Sequence, residues 1–533
     1  MTFQELSRMY DRNINHLMIQ ESISAVQAPT GEPQKMFIEK MINEHLGSEE
    51  LREMIVAEQY MHEENRAIQE KKRFVVDAEG GTLPLPHVSN TKLSHPFLNQ
   101  LTNQKVNFLL AREFTISTEN ETYAKELGQY LGKSFVRQLK TLGESAITHG
   151  KAWLYIYYDR HGNMRFKRIP AREIIPFWGD SDHTILDALI HYYTIGDYGE
   201  DGEMKEVLHV DYYDDEGVWK YIKVGDELEL QPDMPKGHFR YILDEDAEDS
   251  RGEADGQEIE TKFNRIPFIC FRYNRNEKPL LNKIKSLIDE YDDIRSSNAD
   301  IIKDTPNSIM VVKNYQGLGS ETPEKDIGRF MRNMYNTRIA FVNEDGDVGY
   351  LKNEFEDLNY KNHAEQIRKN IYEFGGGIDA QEANFGHASG VAIRFRYQPI
   401  RQDCDAMANE FIEALEQLTW FIALDLHLKG KGDYRNEKVD FIFNYDAILN
   451  ETETIANLRN SMELLSLQTL IERHPYVTDS RQELERIKEE QEERLKLMEE
   501  LDGTKDTLGS RWGSDEFLES EASGEGQVVD ERG

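Results

Sequence analysis

Cysteine is nearly absent, with only Cys270 and Cys404 among 533 residues, each in an apolar-patterned stretch. That excludes a disulfide scaffold and leaves two buried free thiols as the expectation. Long apolar runs are missing too. The longest, such as Trp420-Phe421-Ile422-Ala423-Leu424, is broken by Asp425 well short of the ~18 residues of a membrane span. The opening Met1-Thr2-Phe3-Gln4-Glu5 has neither a basic n-region nor an apolar h-region. No secretory signal is therefore expected, and the expected setting is cytoplasm or a particle assembled there. Basic charge is scarce: Lys plus Arg total 63 against 99 for Asp plus Glu, a formal net charge of −36. Proteins that grip duplex DNA usually present a basic surface, because phosphate neutralisation supplies most non-specific affinity. The composition thus argues against a repressor, a nuclease or a tight DNA binder.

Motifs for catalysis are also lacking. Gly375-Gly376-Gly377 is followed by no Lys-Ser or Lys-Thr, so the P-loop requirement fails. In Gly386-His387-Ala388-Ser389-Gly390 the Ser occupies the wrong position for a nucleophile elbow. His62-Glu63-Glu64 lacks the second His that a zinc helix needs at i+4, and His149, His161, His183 and His191 show no ligand spacing. In so acidic a chain, neighbouring carboxylates carry no information about acid–base chemistry. The sequence predicts no catalytic residue, no metal and no cofactor.

What is present is organisation. With 38% hydrophobic residues the chain can build real cores, and its length predicts two or more packing units. Residues 1–72 read as amphipathic helix, with Ser48 a candidate N-cap. Pro96 opens a helix bearing Phe97, Leu101, Lys105, Phe108 and Leu109. Another helix is expected from Glu121 to His149, with Tyr123, Leu127, Leu131, Phe135 and Leu142 inward and Gly150 as its stop. Trp153–Tyr158 and Met164–Ile169 form a hairpin signal, and strands follow at Ala188–Ile195, Glu206–Tyr213, Val218–Val224, His238–Leu243 and Ile266–Tyr273.

The centre, residues 282–428, is more informative. Leu281, Ile284, Leu287, Ile288, Tyr291 and Ile294 make one stripe of a helix running to about Lys303, about 34 Å long at ~1.5 Å per residue. A second strut runs from Glu354 to Phe374 with Leu358, Ala364, Ile367 and Ile371 on one face, and the glycine triplet stops it. Such apolar stripes exceed what a small inserted module can cover, so neighbouring copies are expected to bury them. Between the struts, Ser308–Lys313 and Arg338–Asn343 read as strands, Pro323–Met334 as a short helix, and Asp345-Gly346 as a turn into a last strand. This module cannot bury much core alone and should pair with a copy of itself or a partner. Gly375–Ser389 is polar and is expected to be mobile. Pro399 should then kink a long helix whose stripe is Ile400, Cys404, Met407, Phe411, Leu415, Leu418 and Ile422. A strand at Lys438–Phe443, helices at Glu453–Arg473 and from Thr478, and a Gly-, Ser- and acid-rich tail expected to be disordered complete the chain.

Four ordered stretches resemble the portal proteins of tailed double-stranded DNA bacteriophages, in their siphophage form. They are Ile284–Tyr291; Met310-Val311-Val312-Lys313 to Val342–Val348; the second strut; and Gly390-Val391-Ala392-Ile393-Arg394-Phe395-Arg396-Tyr397. The likeness extends more loosely from about residue 90 to 500. It implies an α+β, helix-rich fold with a wing (1–280), a stem helix (281–305), a clip (306–353), a second stem helix (354–374), a tunnel loop (375–389), a long kinked helix returning to the wing (390–450), a crown (451–501) and an acidic tail (502–533).

The resemblance also implies a function: a homo-oligomeric ring, by the family rule a dodecamer, at one vertex of the virion capsid. That ring is the channel for DNA packaging and ejection. Implied partners are double-stranded DNA in transit, the terminase large subunit, a head–tail adaptor, and capsid and scaffolding proteins, with no membrane. An acidic wall suits a conduit through which DNA slides without being held, although solvated surface at Asp244–Asp249 and in the C-terminal helix also accounts for much of the acid. Gln381, Asn384 and His387 of the loop are candidate DNA contacts, neutral groups able to hydrogen-bond phosphate without counterion-release affinity. Arg394, Arg396 and Arg401 could meet phosphates or form intersubunit salt bridges, and Lys325, Arg329 and Arg332 are candidate docking residues on the clip. Alternatives are another ring-forming or scaffold-type phage structural protein, or an acidic hydrolase or nuclease with an unrecognised site.

Overall fold

Local chemistry explains where the first helices start. After α1 (Glu32–Leu46), the Ser48 hydroxyl accepts the Leu51 N–H at 3.1 Å and caps α2 (Glu49–Met61), as its position predicts. Asn65 caps the single turn α3 (Arg66–Gln69) in the same way. The structure is a computed structural model that describes residues 32–76, 82–84, 89–159, 161–198, 204–225, 227–242, 258–304, 309–313, 332, 346–351, 357–381, 390–444, 451–462, 464–474, 476–477, 480, 483–494 and 496. The helix expected before residue 32, the strand at 338–343, nearly all of the helix at 323–334 and the tail lie outside them.

β1 (Phe74–Val76) and β2 (Thr82–Pro84) pair antiparallel. α4 (Phe97–Leu110) begins directly after Pro96, and β3 (Thr115–Ser117) leads into α5 (Glu121–Tyr130) and α6 (Lys133–His149). The single helix predicted over 121–149 is therefore two. Gly132 is extended (φ −73, ψ −166), and glycines at 128 and 132, each worth ~1 kcal/mol against a helix interior, let the chain break there. Tyr123, Leu127, Leu131, Phe135 and Leu142 are nonetheless all buried, as expected.

Gly150, at φ +86, ends α6. β4 (Lys151–Tyr158) and β5 (Met164–Ile169) form the expected hairpin. β6 (Ile174–Trp178), β7 (Leu186–Tyr198), β8 (Met204–Tyr213), β9 (Val218–Val224) and β10 (Glu227–Leu230) make an antiparallel meander in the order β10-β9-β8-β7-β6. β6 escaped prediction because Pro176 interrupts its strand pattern, and β10 because Glu-Leu-Glu-Leu is only four residues long. Pro176 within β6 is tolerated only because β6 pairs on one side. β11 (Phe239–Ile242) pairs with β12 (Glu258–Thr261), and β13 (Phe268–Arg272) completes the sheet β13-β4-β5. Ile38 and Ile42 of α1 cover one side of the meander, and Trp153, Ile169, Leu189, Tyr213 and Phe268 fill the space where the two larger sheets face each other.

The remaining elements are α7 (Leu281–Asp304), β14 (Ile309–Lys313), β15 (Asp347–Leu351), α8 (Asp357–Phe374), α9 (Gly390–Leu428) and β16 (Asp440–Ile442), the last paired with β3. β14 and β15 pair antiparallel between the struts α7 and α8. Contrary to the expectation that neighbouring copies would bury the struts, their stripes are covered within the chain. Ile284, Ile288, Ala364, Ile367 and Ile371 join Phe97, Leu98 and Leu101 in one core. The other side of α7 is held by polar contacts that the apolar pattern does not reveal. Asp292, fully buried, accepts from Asn65 at 2.7 Å and meets His95 at 2.6 Å; Ser296 accepts Leu93 N–H and Asp300 accepts Thr91 N–H.

The chain divides into two units, Met1–Ala447 and Ile448–Gly533. The second unit contains α10 (Glu451–Asn460) and α11 (Leu467–Glu472) where one helix over 453–473 was expected. Ser466 accepts Thr469 N–H and starts α11 afresh, so Met462 and Leu465 are exposed rather than inward.

A Cβ at Gly150 would lie 2.1 Å from the Glu277 carbonyl oxygen, whereas Gly162, also at positive φ, faces nothing within 4 Å. Gly150→Ala should cost roughly 2–5 kcal/mol and Gly162→Ala roughly 1–2 kcal/mol, read as urea unfolding midpoints of the two variants. Equal losses would show that the close approach at Gly150 is not what requires glycine.

Candidate functional site

The turn that leaves α8 is built by backbone geometry. Gly377 N–H bonds Tyr372 O at 2.8 Å and Gly376 N–H bonds Glu373 O at 3.2 Å, with Gly376 left-handed at φ +61. This is a Schellman stop. The sequence reading treats these glycines as freedom to move; the structure uses them for contact. A Cβ at Gly375 would stand 2.7 Å from Leu101 Cδ1, and one at Gly377 only 2.1 Å from Leu101 Cδ2. All three glycines are buried.

Helix α4 grips the turn from below. The Gln104 amide accepts Ile378 N–H and donates to Ile378 O, both at 2.9 Å, while Tyr372 Oη donates to Gln100 Oε1 at 2.9 Å. Lys105, its side chain 0% exposed, sends its ammonium to Gly376 O at 2.9 Å and to Asp403 Oδ2 at 2.6 Å. Tyr273 Oη also donates to Asp403 Oδ2, and Lys283 of α7 reaches Asp403 Oδ1 at 3.2 Å. Three helices and the residue just past β13 meet at one carboxylate, and Lys105 links the turn to it.

A buried charge is costly unless paired and hydrogen-bonded. Burial works against ionised Asp403, but the Lys105 ammonium, with hydrogen bonds from Lys105 and Tyr273, outweighs it and holds the carboxyl below its usual range. Burial, and then Asp403 itself, push the Tyr273 phenol well above its ordinary value. Burial lifts the neighbouring Cys404 thiol to about 12, which makes it inert.

The predicted site residues fall unevenly around this cluster. Gln381 lies just past the turn, where its side-chain oxygen accepts from Arg368 and its N–H donates to Asp379 Oδ1 at 2.9 Å. Arg368 also pairs with Asp379 at 2.6 Å. Asn384 and His387 are outside the described residues, as are Lys325 and Arg329; Arg332 is exposed. Arg394 is in the first turns of α9, Arg396 is half-buried, and the exposed Arg401 pairs with the half-buried Asp405 one turn on at 3.8 Å. Sequence reasoning placed Lys105 on the apolar side of its helix but missed its partner, 298 residues away.

Among the described residues, no group of three or more His, Cys, Asp or Glu could hold a metal ion, and no helix is long and apolar enough to cross a membrane. A separate buried pair, Lys151 with Glu277 at 2.9 Å, also touches Glu50 and His183. It ties the start of β4 to the chain before α7.

Comparison with known proteins is consistent across most of the chain. The family model described as "Phage portal protein, SPP1 Gp6-like" matches residues 44–497. The portal protein of Bacillus phage SPP1 is 26% identical, with 98% of this chain and 99% of that protein covered. The portal protein of Clostridium phage phiCD119 is 25% identical over 80% of this chain and 90% of that protein. A solved structure titled "Neck of native GTA particle computed with C12 symmetry" superposes at TM-score 0.38 and 10% identity, covering 70% of this chain and 88% of that one.

The packing at the turn can be tested by a double-mutant cycle. Gly377→Ala should lower the unfolding midpoint by 1–3 kcal/mol equivalent, roughly the cost of overpacking, and speed exchange of the 375–381 amides. Leu101→Ala in the same chain should restore part of this, a coupling of about 1 kcal/mol between touching residues. Strict additivity would mean that the two side chains do not meet.

Proposed function

Because the chain belongs to the SPP1 Gp6-like phage portal protein family, we propose that residues 281–305 and 354–374 act as its stem, 306–353 as its clip and 375–389 as its tunnel loop, within a ring of identical subunits. Portal proteins of this type are structural rather than enzymatic components of the virion and form the DNA channel at the capsid vertex. The observation that carries the finer reading is the unit of struts α7 and α8 sharing one core, with the β14–β15 pair between them and the gripped turn at the end of α8. The same reading makes residues 1–280 the wing, 390–450 the long helix returning to it, and 451–501 the crown.

The ring is a dodecamer in this reading. With the stem stripes covered internally, support for self-assembly comes from elsewhere. Met462, Leu464 and Tyr476 of the second unit are 64%, 84% and 67% exposed, apolar surface that an assembled particle would cover. Gln381, Asn384 and His387 are the proposed transient contacts to DNA. With a formal net charge of −36, such contacts position the duplex without trapping it. Arg401, paired within its own helix, fits an internal role better than a phosphate contact. A packaging ATPase of the terminase type and a head–tail adaptor would dock at the clip, and capsid and scaffolding proteins would surround the ring.

Native mass measurement of the purified chain should give a closed oligomer of about twelve subunits; monomer alone at high concentration and several salt conditions would sink the ring. Charge reversal at Lys325, Arg329 and Arg332 should weaken binding of the packaging ATPase or the adaptor several-fold while leaving the oligomer intact. Unchanged binding of both partners would remove these residues from the docking surface. Deleting 382–388 should permit assembly but reduce nuclease-protected DNA per particle, and full packaging by that variant would remove the loop from the mechanism.

A further inference from the structure

We propose that Lys105 is a positioning residue for DNA passage, clamping the entrance of the tunnel loop at Gly376 to the long helix α9 at Asp403 and, through Asp403, to the stem helix α7 at Lys283. This rests on the reading of 375–389 as the channel loop.

Three features of the geometry support it. First, the Lys105 ammonium is completely buried, yet its contacts go beyond neutralising Asp403: it also donates to a backbone carbonyl of the turn. A buried ammonium needs acceptors for its three N–H donors, and because the turn supplies one of them the backbone at Gly376 is held to the same cation as Asp403. Second, the turn leaves no slack. Gly376 is left-handed, and a Cβ there would stand 3.0 Å from Lys105 Nζ and 3.3 Å from Asp403 Cβ, so the backbone lies directly against both members of the pair. Third, the neighbouring Gln104 holds Ile378 through both ends of its amide, and Arg368 ties Asp379 back to α8. A displacement applied beyond Gln381 therefore cannot be absorbed by rotation at the glycines. It must be carried into α4 and α9, and Lys283 extends that path to the strut. Asp403 lies one turn past Pro399, which removes one backbone donor from α9.

The test must separate holding the loop from holding the fold. Lys105→Met alone would leave Asp403 with only Tyr273 and Lys283, so loss of the clamp would be mixed with the cost of an under-compensated carboxylate. In the pair K105M/D403L both charges are gone, and apolar replacement of a buried ion pair is often neutral for stability. Full-length variant chains are assembled into particles beside the unmodified chain and the 382–388 deletion. The expected result is normal ring assembly, amide exchange at 375–381 faster by about tenfold, as loss of roughly one hydrogen bond gives, and at least a threefold fall in nuclease-protected DNA per particle. If K105M/D403L packages like the unmodified chain while the deletion does not, the clamp is structural only and the proposal fails, with the loop reading intact. If the deletion also packages normally, the loop reading fails with it. Should K105M/D403L not assemble, the neutral polar pair K105Q/D403N repeats the comparison. Failure of both to assemble would show that the pair is needed for folding rather than for positioning.

Discussion

Helix α9 is buried along most of its length only because each carboxylate on its inner side finds a cation or a hydroxyl. Cys404, Met407, Phe411, Leu415, Leu418 and Ile422 enter one core with α4, α5, α6 and β13. The same sides carry Asp403, Glu410, Glu413 and Asp425. Asp403 meets Lys105 and Tyr273; Arg272 reaches Glu410 and Glu413, each at 2.6 Å; and Tyr130, Tyr158 and Lys429 surround Asp425, which is 0% exposed. Removing one partner from such a set leaves a charge in a medium that cannot solvate it, a loss of several kcal/mol. The partners come from α4, α5, β4, β13 and the segment after α9, so satisfying one helix fixes the positions of all of them.

That constraint changes how the acidity of the chain is understood. Part of the negative charge is structural. Glu277 is held far below the usual carboxylate range: burial opposes its ionisation, but Lys151 and His183 overcome that penalty. Asp292, Ser296 and Asp300 form a polar seam along α7 that receives the segment around residues 65–95. A helix covered on one side by core and on another by charge-assisted hydrogen bonds is held along its length.

The glycine triplet shows how one sequence feature supports opposite mechanical readings. Three consecutive glycines suggest a hinge. Here they permit approach: Leu101, Gln104 and Lys105 occupy the space where side chains would be. Flexibility is an attribute of unpacked glycine, and these are packed.

The strut helices, the meander strands β7 to β9, the hairpin β4–β5, the caps at Ser48 and Gly150 and the family membership were legible in the chain itself. Periodicity, turn chemistry and motif order are local, and each is written within a few dozen residues. β6 was not legible, because Pro176 argues against a strand unless the strand is known to pair on one side only. The breaks at Gly132 and Ser466 were missed because a continuous apolar period hides a local cap. Lys105 looked like one polar residue on an apolar stripe, and Asp403 like one acid among 99. Sequence by itself determined most of the long elements, their order and the family to which the chain belongs. Only the tertiary structure decided which charges are neutralised, which stripes are covered internally and which glycines are clamped. Those outcomes depend on distances between residues hundreds of positions apart, and desolvation, which sets their energies, exists only once the chain has packed.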